Sequence, residues 1–173
     1  ATKEEAQKEV LYALSEYKDI MENYLAIPVV VGVKSDSEKF AGADYTTALE
    51  AMMPDGKALQ MGTSHNLGQH FARVFDIKFI GEDEKDHMVW QTSWGITTRT
   101  IGALVMIHGD DKGLVLPPKI APIQVVIVPI PFKGAEPEAI AAKAKEIADK
   151  LTQKGLSVIL DDRGEYTPGW KFN

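Results

Sequence analysis

Residues 44–64 read DYTTALEAMMPDGKALQMGTS. At their centre Pro54, Asp55 and Gly56 form a turn tripeptide, because proline pre-sets φ, aspartate hydrogen-bonds its own backbone and glycine tolerates positive φ. The flanking runs, DYTTALEAMM and KALQMGTS, are rich in Thr, Tyr, Leu and Met. Two such runs joined by a short turn predict an antiparallel hairpin.

Working outward toward the N-terminus, Thr2 and Glu5 have the spacing of a capping box. Val10, Leu11, Leu14, Tyr17, Ile20, Met21 and Tyr24 then recur every three or four residues, which predicts a long amphipathic helix ending before Pro28. On the other side, NLGQHFARVFD (66–76) places Leu67, Phe71, Val74 and Phe75 at helical spacing, with Thr63 or Ser64 available as a cap. IKFI (77–80) and HMVWQTSWGITT (87–98) read as strands separated by the charged loop GEDEKD. The run TIGALVMIH (100–108) reads as a buried helix, although periodicity alone also admits a strand. LPPKIAP (116–122) carries three prolines, which neither a helix nor a central strand accommodates, so it predicts a linker. Beyond it QVVIVPI, PEAIAAKAKEIADKLTQKG and LSVILDD read as strand, helix and strand, the helix closed by Gly155. Unalternating apolar strands around a helix predict a βαβ unit with parallel pairing. Two parallel strands leave their sheet edges and one face open, so this second module reads as incomplete.

The 173 residues are 45% hydrophobic and 25% charged, the composition of a globular protein with one good core or two small ones. There is no cysteine, which excludes a disulfide framework and cysteine-ligated zinc; this is compatible with a reducing cytoplasm, the expected location. Apolar runs such as 101–107 and 120–132 fall short of the roughly 20 residues that cross a bilayer, and the charged opening ATKEEAQKEV does not read as a signal peptide. With a net charge of −6 and a pI near 5.2, the chain as a whole does not attract polyanions, and nucleic-acid contact requires a local basic patch. Lys143, Lys145, Lys150 and Lys154 of the second module are interleaved with Glu146 and Asp149, the pattern of a solvated helix face.

Residues 92–118, TSWGITTRTIGALVMIHGDDKGLVLPP, place Arg99 where an extended run becomes helical. Thr97, Thr98 and Arg99 lie at a helix start, where free backbone N–H groups and the helix dipole favour an anion and a guanidinium adds a bidentate positive charge. That arrangement suits a phosphate. Pairing of Arg99 with Asp110 or Asp111 is the ordinary alternative. Gln60, Thr63, Ser64 and His65 of QMGTSH sit at a strand end, where capping is an equally good account. HGDDKG, bracketed by Gly109 and Gly113, and GEDEKDH, with His87, read as solvated turns and not as metal sites.

EKFAGADYTTALEAMMPDGKALQMGTSHNLGQHFARVF, QTSWGITTRTIGALVMIHGDDKGLVLPP and DDRGEYTPGWKFN, in this order and spacing, resemble the prolyl-tRNA synthetases of the archaeal and eukaryotic-like type across essentially the whole chain. The resemblance implies an α+β fold: a partial class II synthetase catalytic core, an antiparallel sheet flanked by helices, over residues 1–119, then a partial α/β anticodon-binding domain over 120–173. It implies activation of proline by ATP with magnesium on the nucleotide, transfer to tRNA(Pro), and a homodimer in the intact enzyme. GITTRTIG resembles the third class II signature motif, so Arg99 is the implied catalytic residue, clamping the γ-phosphate. Thr97, Gln60 and Thr63 are implied nucleotide contacts. Phe40, His65, Ser93, Trp94 and Gly95 are the implied proline pocket, for which an apolar wall with a few polar groups is suited. The first two class II motifs would precede Ala1, and the C-terminal zinc-binding domain of this branch has no counterpart here. A threonyl- or histidyl-type enzyme, or a synthetase-derived module that binds without chemistry, are the alternatives.

Overall fold

The computed structural model describes residues 2–134 and 136–172, and the chain divides into two compact units, Ala1–Pro117 and Pro118–Asn173. The first begins with α1, Lys3–Asp19. Thr2 caps it: its hydroxyl accepts from Glu5 N–H at 3.1 Å, while the Glu5 carboxylate accepts from Thr2 N–H at 2.8 Å. One π-helical turn, Ile20–Tyr24, continues the axis and buries Met21 completely. The predicted helix is therefore present, its last turn wider than α.

Four strands, β1 (Val30–Val33), β2 (Tyr45–Met52), β3 (Ala58–Gly68) and β6 (Gln91–Ile96), form one antiparallel sheet in the order β1-β2-β3-β6. The Pro54-Asp55-Gly56 turn joins β2 to β3 as expected, with Gly56 at φ +80°. A register shift between Leu49 and Glu50 offsets the two halves of the hairpin. Ala6, Val10, Ala13, Leu14 and Tyr17 form the buried stripe of α1, which packs on the sheet chiefly against β3 and β6. Gly62 leaves room for this packing: a Cβ there would lie 2.9 Å from Ile96 Cγ2 and 3.2 Å from Tyr17 Cδ2. Because side chains alternate across a strand, Gly62 and Ser64 face α1, whereas Thr63 and His65 point to the opposite face.

One expectation fails between residues 63 and 76. Thr63 and Ser64 cap no helix; β3 runs on to Gly68, pairing with β2 as far as Asn66–Tyr45 and with β6 as far as Gly68–Gln91. Leu67 belongs to this strand. The helix α2 is confined to His70–Phe75, after Gly68 turns the chain at φ +59°. Sheet pairing on both sides of β3 outweighs the local helical pattern, the usual hierarchy when propensity and tertiary contacts conflict. A small exposed ribbon follows, β4 (Lys78–Ile80) with β5 (Asp86–Met88), so His87 lies on a strand and not in the loop; its Nε2 is 2.8 Å from Asp83 Oδ1.

Helix α3, Arg99–His108, resolves the ambiguity of TIGALVMIH in favour of a helix that buries Ala103 and Leu104. His108 Nε2 ties its end to the Leu25 carbonyl at 2.8 Å. HGDDKG is a tight turn between β7 (Gly109–Asp110) and β8 (Gly113–Leu114), closed by Asp110 Oδ1 accepting from the N–H groups of Lys112 and Gly113.

The second unit holds parallel strands β9 (Val125–Ile127) and β10 (Val158–Leu160) connected by α4 (Pro137–Gln153). Pro137 starts α4 at a position where its missing N–H is not needed, and Gly155, at φ +83°, follows the helix end. Thr167 caps the short α5, Pro168–Lys171, by accepting from Trp170 N–H.

Candidate active site

The face of the sheet turned away from α1 gathers most of the predicted residues. Antiparallel register sets Thr63 opposite Gly95 and His65 opposite Ser93 on the adjacent strands. From the end of β6 the chain turns through Thr97 into α3, which brings Arg99 back over β3. Its Nη1 donates to the Gln60 carbonyl at 3.1 Å, and its backbone N–H donates to Thr97 Oγ1 at 3.3 Å. Gln60, Thr63, Gly95, Thr97 and Arg99 thus line one open cleft of about 110 Å³.

Arg99 is exposed and forms no ion pair among the described residues, so the pairing with Asp110 or Asp111 that its sequence position allows is not made. A guanidinium held by a single carbonyl keeps most of its five N–H donors free. That is the condition for bidentate recognition of a phosphate or carboxylate.

Beside the cleft, His65 is half-buried. Its Nδ1 lies 2.8 Å from Thr46 Oγ1 and its Nε2 3.1 Å from Thr63 Oγ1. Phe40 covers it, ring centroids 5.0 Å apart, and in turn meets Phe71 at 6.3 Å. Phe40 remains 48% exposed, an apolar ring at the mouth of the site. Burial holds the His65 pKa below its ordinary 6.5, since desolvation disfavours the charged ring. Below 6.5 the unfolded chain takes a proton that folded His65 resists, so stability is lost as pH falls through that window and is level above it. Chemical unfolding at a series of pH values is expected to show this slope in the wild type and a smaller one in His65→Gln; equal slopes contradict it.

Trp94 is the residue that the structure does not bring to this group. Its register partner is Ser64, and its ring stands on the α1 face, edge-on to Tyr17 at 6.3 Å. Strand alternation separates it from Ser93 and Gly95, its neighbours in sequence. Thr46 is the converse case: sequence reasoning passed over it, yet it is 2% exposed and bonded to two site elements. Counting back from the Pro54-Asp55-Gly56 turn does not find it, because the register shift at Leu49/Glu50 changes which residues face each other.

The second unit has its own polar cluster. Asp161, buried, accepts from Arg163 Nε and Nη2 at 2.8 and 2.7 Å and lies 3.4 Å from the buried Lys171 Nζ. The Arg163 guanidinium holds the Asp161 carboxyl well below the usual carboxylate range. Arg163 also stands 4.8 Å over the Tyr166 ring, which stacks on Trp170 at 3.9 Å. Along α4, Lys143 and Lys150 both pair with Glu146, as a solvated helix face would. Among the described residues there is no group of three or more His, Asp or Glu side chains placed to hold a metal ion, and no helix long and apolar enough to cross a membrane.

Residues 1–108 match the tRNA synthetase class II core domain of the glycine, histidine, proline, serine and threonine enzymes, and residues 124–173 match an anticodon binding domain. The chain belongs to the class II tRNA synthetase core family. Within it, this chain is 54% identical over 173 residues to a proline–tRNA ligase of Cenarchaeum symbiosum and 55% identical over 172 residues to one of Natranaerobius thermophilus. Those alignments cover 100% and 99% of this chain but 36% and 35% of the relatives, so the chain spans about a third of their length. A crystal structure of prolyl-tRNA synthetase from Cryptosporidium parvum, complexed with L-proline and AMP, superposes with a TM-score of 0.85 at 48% identity, covering 99% of this chain and 37% of that one.

Proposed function

We propose that this chain forms part of a proline–tRNA ligase that activates proline with ATP and transfers it to tRNA(Pro), residues 1–119 contributing catalytic core and 120–173 contributing anticodon-binding domain. The observation that carries the reading is the convergence of Gln60, Thr63, Gly95, Thr97 and an Arg99 that has no ion pair among the described residues on one cleft, in a chain whose structural neighbour is complexed with L-proline and AMP. In the reaction the proline carboxylate oxygen attacks the α-phosphorus of ATP, the bond to the bridging oxygen breaks, and pyrophosphate leaves with its electron pair. Such a site works by positioning and by neutralising developing charge, with no side-chain nucleophile. Arg99 meets the terminal phosphates, with Thr97 beside it; Gln60 and Thr63 hold the ribose and adenosine. His65, Ser93, Gly95 and the Phe40 ring form the pocket for the proline ring and its polar groups. Trp94 serves that pocket from behind, by packing β6 against α1. Magnesium fits here as an ion carried by the nucleotide phosphates, since the described residues offer no side-chain cage; bound there it would neutralise phosphate charge. A homodimer and a cytoplasmic location accompany this reading.

The test is ATP–pyrophosphate exchange in the full-length ligase carrying this sequence. Exchange dependent on proline is expected; exchange with threonine or histidine and none with proline would sink the assignment. The 173-residue chain alone, a third of the relatives' length, is expected to show no exchange above an Arg99→Ala control, and measurable exchange there would contradict the need for the remaining two thirds.

A further inference from the structure

Thr46 carries a constraint that reaches the cleft. It is 2% exposed, and its hydroxyl has two partners: Phe40 N–H, which donates to Oγ1 at 3.0 Å, and His65 Nδ1 at 2.8 Å. A hydroxyl has one proton to give. A backbone N–H can only donate, so Phe40 uses an acceptor position of Oγ1. If His65 Nδ1 also carried a proton, Oγ1 would accept twice and the buried Thr46 proton would have no acceptor, which costs the desolvation of that group. The accounting closes when Thr46 O–H donates to an unprotonated Nδ1. The imidazole proton then sits on Nε2 and donates to Thr63 Oγ1 at 3.1 Å.

We propose that Thr46 is a positioning residue that locks His65 in its Nε2–H tautomer and thereby leaves the Thr63 hydroxyl proton free to donate to a ligand acceptor in the cleft. With the opposite tautomer, Thr63 would spend that proton on Nε2 and the cleft would lose a donor. The same Oγ1 holds the backbone of Phe40, so one buried oxygen sets both the aromatic cover and the polarity beneath it. Burial supports the arrangement by disfavouring the charged ring relative to the neutral one, in which the tautomers differ. The ligand is a group with an exposed acceptor oxygen or nitrogen; that it belongs to the nucleotide or to the amino acid rests on the ligase reading.

The imidazole can be read directly. In this chain labelled with 15N-histidine, nitrogen–proton correlation spectra, with His65→Gln to assign the signal, report which ring nitrogen is protonated. Nε2–H is expected in the wild type and in Thr46→Ser, which keeps the hydroxyl, and the preference is expected to vanish in Thr46→Val. Thr63→Val is expected to leave the tautomer in place, because Thr46 still donates. A wild-type ring protonated on Nδ1 overturns the proposal, as does a preference that survives Thr46→Val but is lost in Thr63→Val; the wild-type spectrum decides even where Thr46→Val does not fold. In the full-length ligase, Thr46→Val is expected to lower kcat/KM for exchange roughly tenfold, with Thr46→Ser restoring it, the effect of one lost directional hydrogen bond. An unchanged kcat/KM overturns the link from Thr46 to the cleft. Failure of the ligase reading looks different: no proline-dependent exchange in the wild type, with the histidine spectra as expected.

Discussion

Arg99→Lys in the full-length ligase is expected to lower proline-dependent exchange by on the order of 10² to 10³-fold, roughly 3 to 4 kcal/mol of lost transition-state stabilisation. Lysine keeps the positive charge and loses the planar fork, so it cannot present two parallel N–H donors to a phosphate. The structure sharpens the companion expectation. Arg99 is exposed, and among the described residues its guanidinium is bonded to the Gln60 carbonyl alone, so its replacement is expected to change folding stability by no more than about 0.5 kcal/mol. Thermal unfolding with and without ATP separates the two effects, since a ligand that binds only the folded state stabilises it by RT ln(1 + [L]/Kd), so a tighter ligand raises the melting temperature further. The wild type is expected to gain more from ATP than the variant. A variant that melts well below the wild type, yet keeps the full ATP-dependent rise and full exchange, would show that Arg99 is a structural residue and that the cleft is not a phosphate site.

Gly62→Val is expected to destabilise the first unit by about 1 to 3 kcal/mol, the cost of forcing extra atoms into a packed contact. Backbone conformation is not strained by the change, because Gly62 sits in extended β3. Space is what is lacking: even a Cβ would come within 2.9 Å of Ile96 Cγ2 and 3.2 Å of Tyr17 Cδ2, and valine adds two methyl groups beyond that. Relief requires α1 or the end of β6 to move. The site should register this movement, because Ile96 immediately precedes Thr97 and Gly62 immediately precedes Thr63. Denaturant unfolding followed by Trp fluorescence is a suitable measurement, Trp94 lying on the same face beside Tyr17. A Gly62→Val chain as stable as the wild type would mean that α1 does not press on β3 at this point. Gly62→Ala, with the Cβ alone, is expected to lie between the two.

The chain's own pattern determined its elements where a local rule governs them. The Thr2–Glu5 box, the first helix with Val10, Leu14, Tyr17 and Met21 of its predicted face buried, the Pro54-Asp55-Gly56 turn, the Pro137 start of α4 and the parallel β9–β10 pair all depend on residues close in sequence or on composition, and all are found, whereas Leu11 and Tyr24 of the same predicted face stay exposed. The class II resemblance was likewise carried by contiguous stretches such as GITTRTIG and QMGTSH. Tertiary structure decided what depends on pairing across distance. Thr63 and Ser64 sit within a strand because β2 and β6 take up both edges of β3, a competition that no window of local sequence contains. Trp94 and Ser93 part to opposite faces through strand alternation, while the shift at Leu49/Glu50 sets which residue of β2 meets His65. Arg99 could pair with Asp110 or face the cleft on sequence alone, and the turn of α3 over β3 makes the choice by placing its guanidinium on the Gln60 carbonyl. Thr46 was invisible for the same reason: a buried hydroxyl acquires meaning only from the two atoms that share it, and both arrive through the fold.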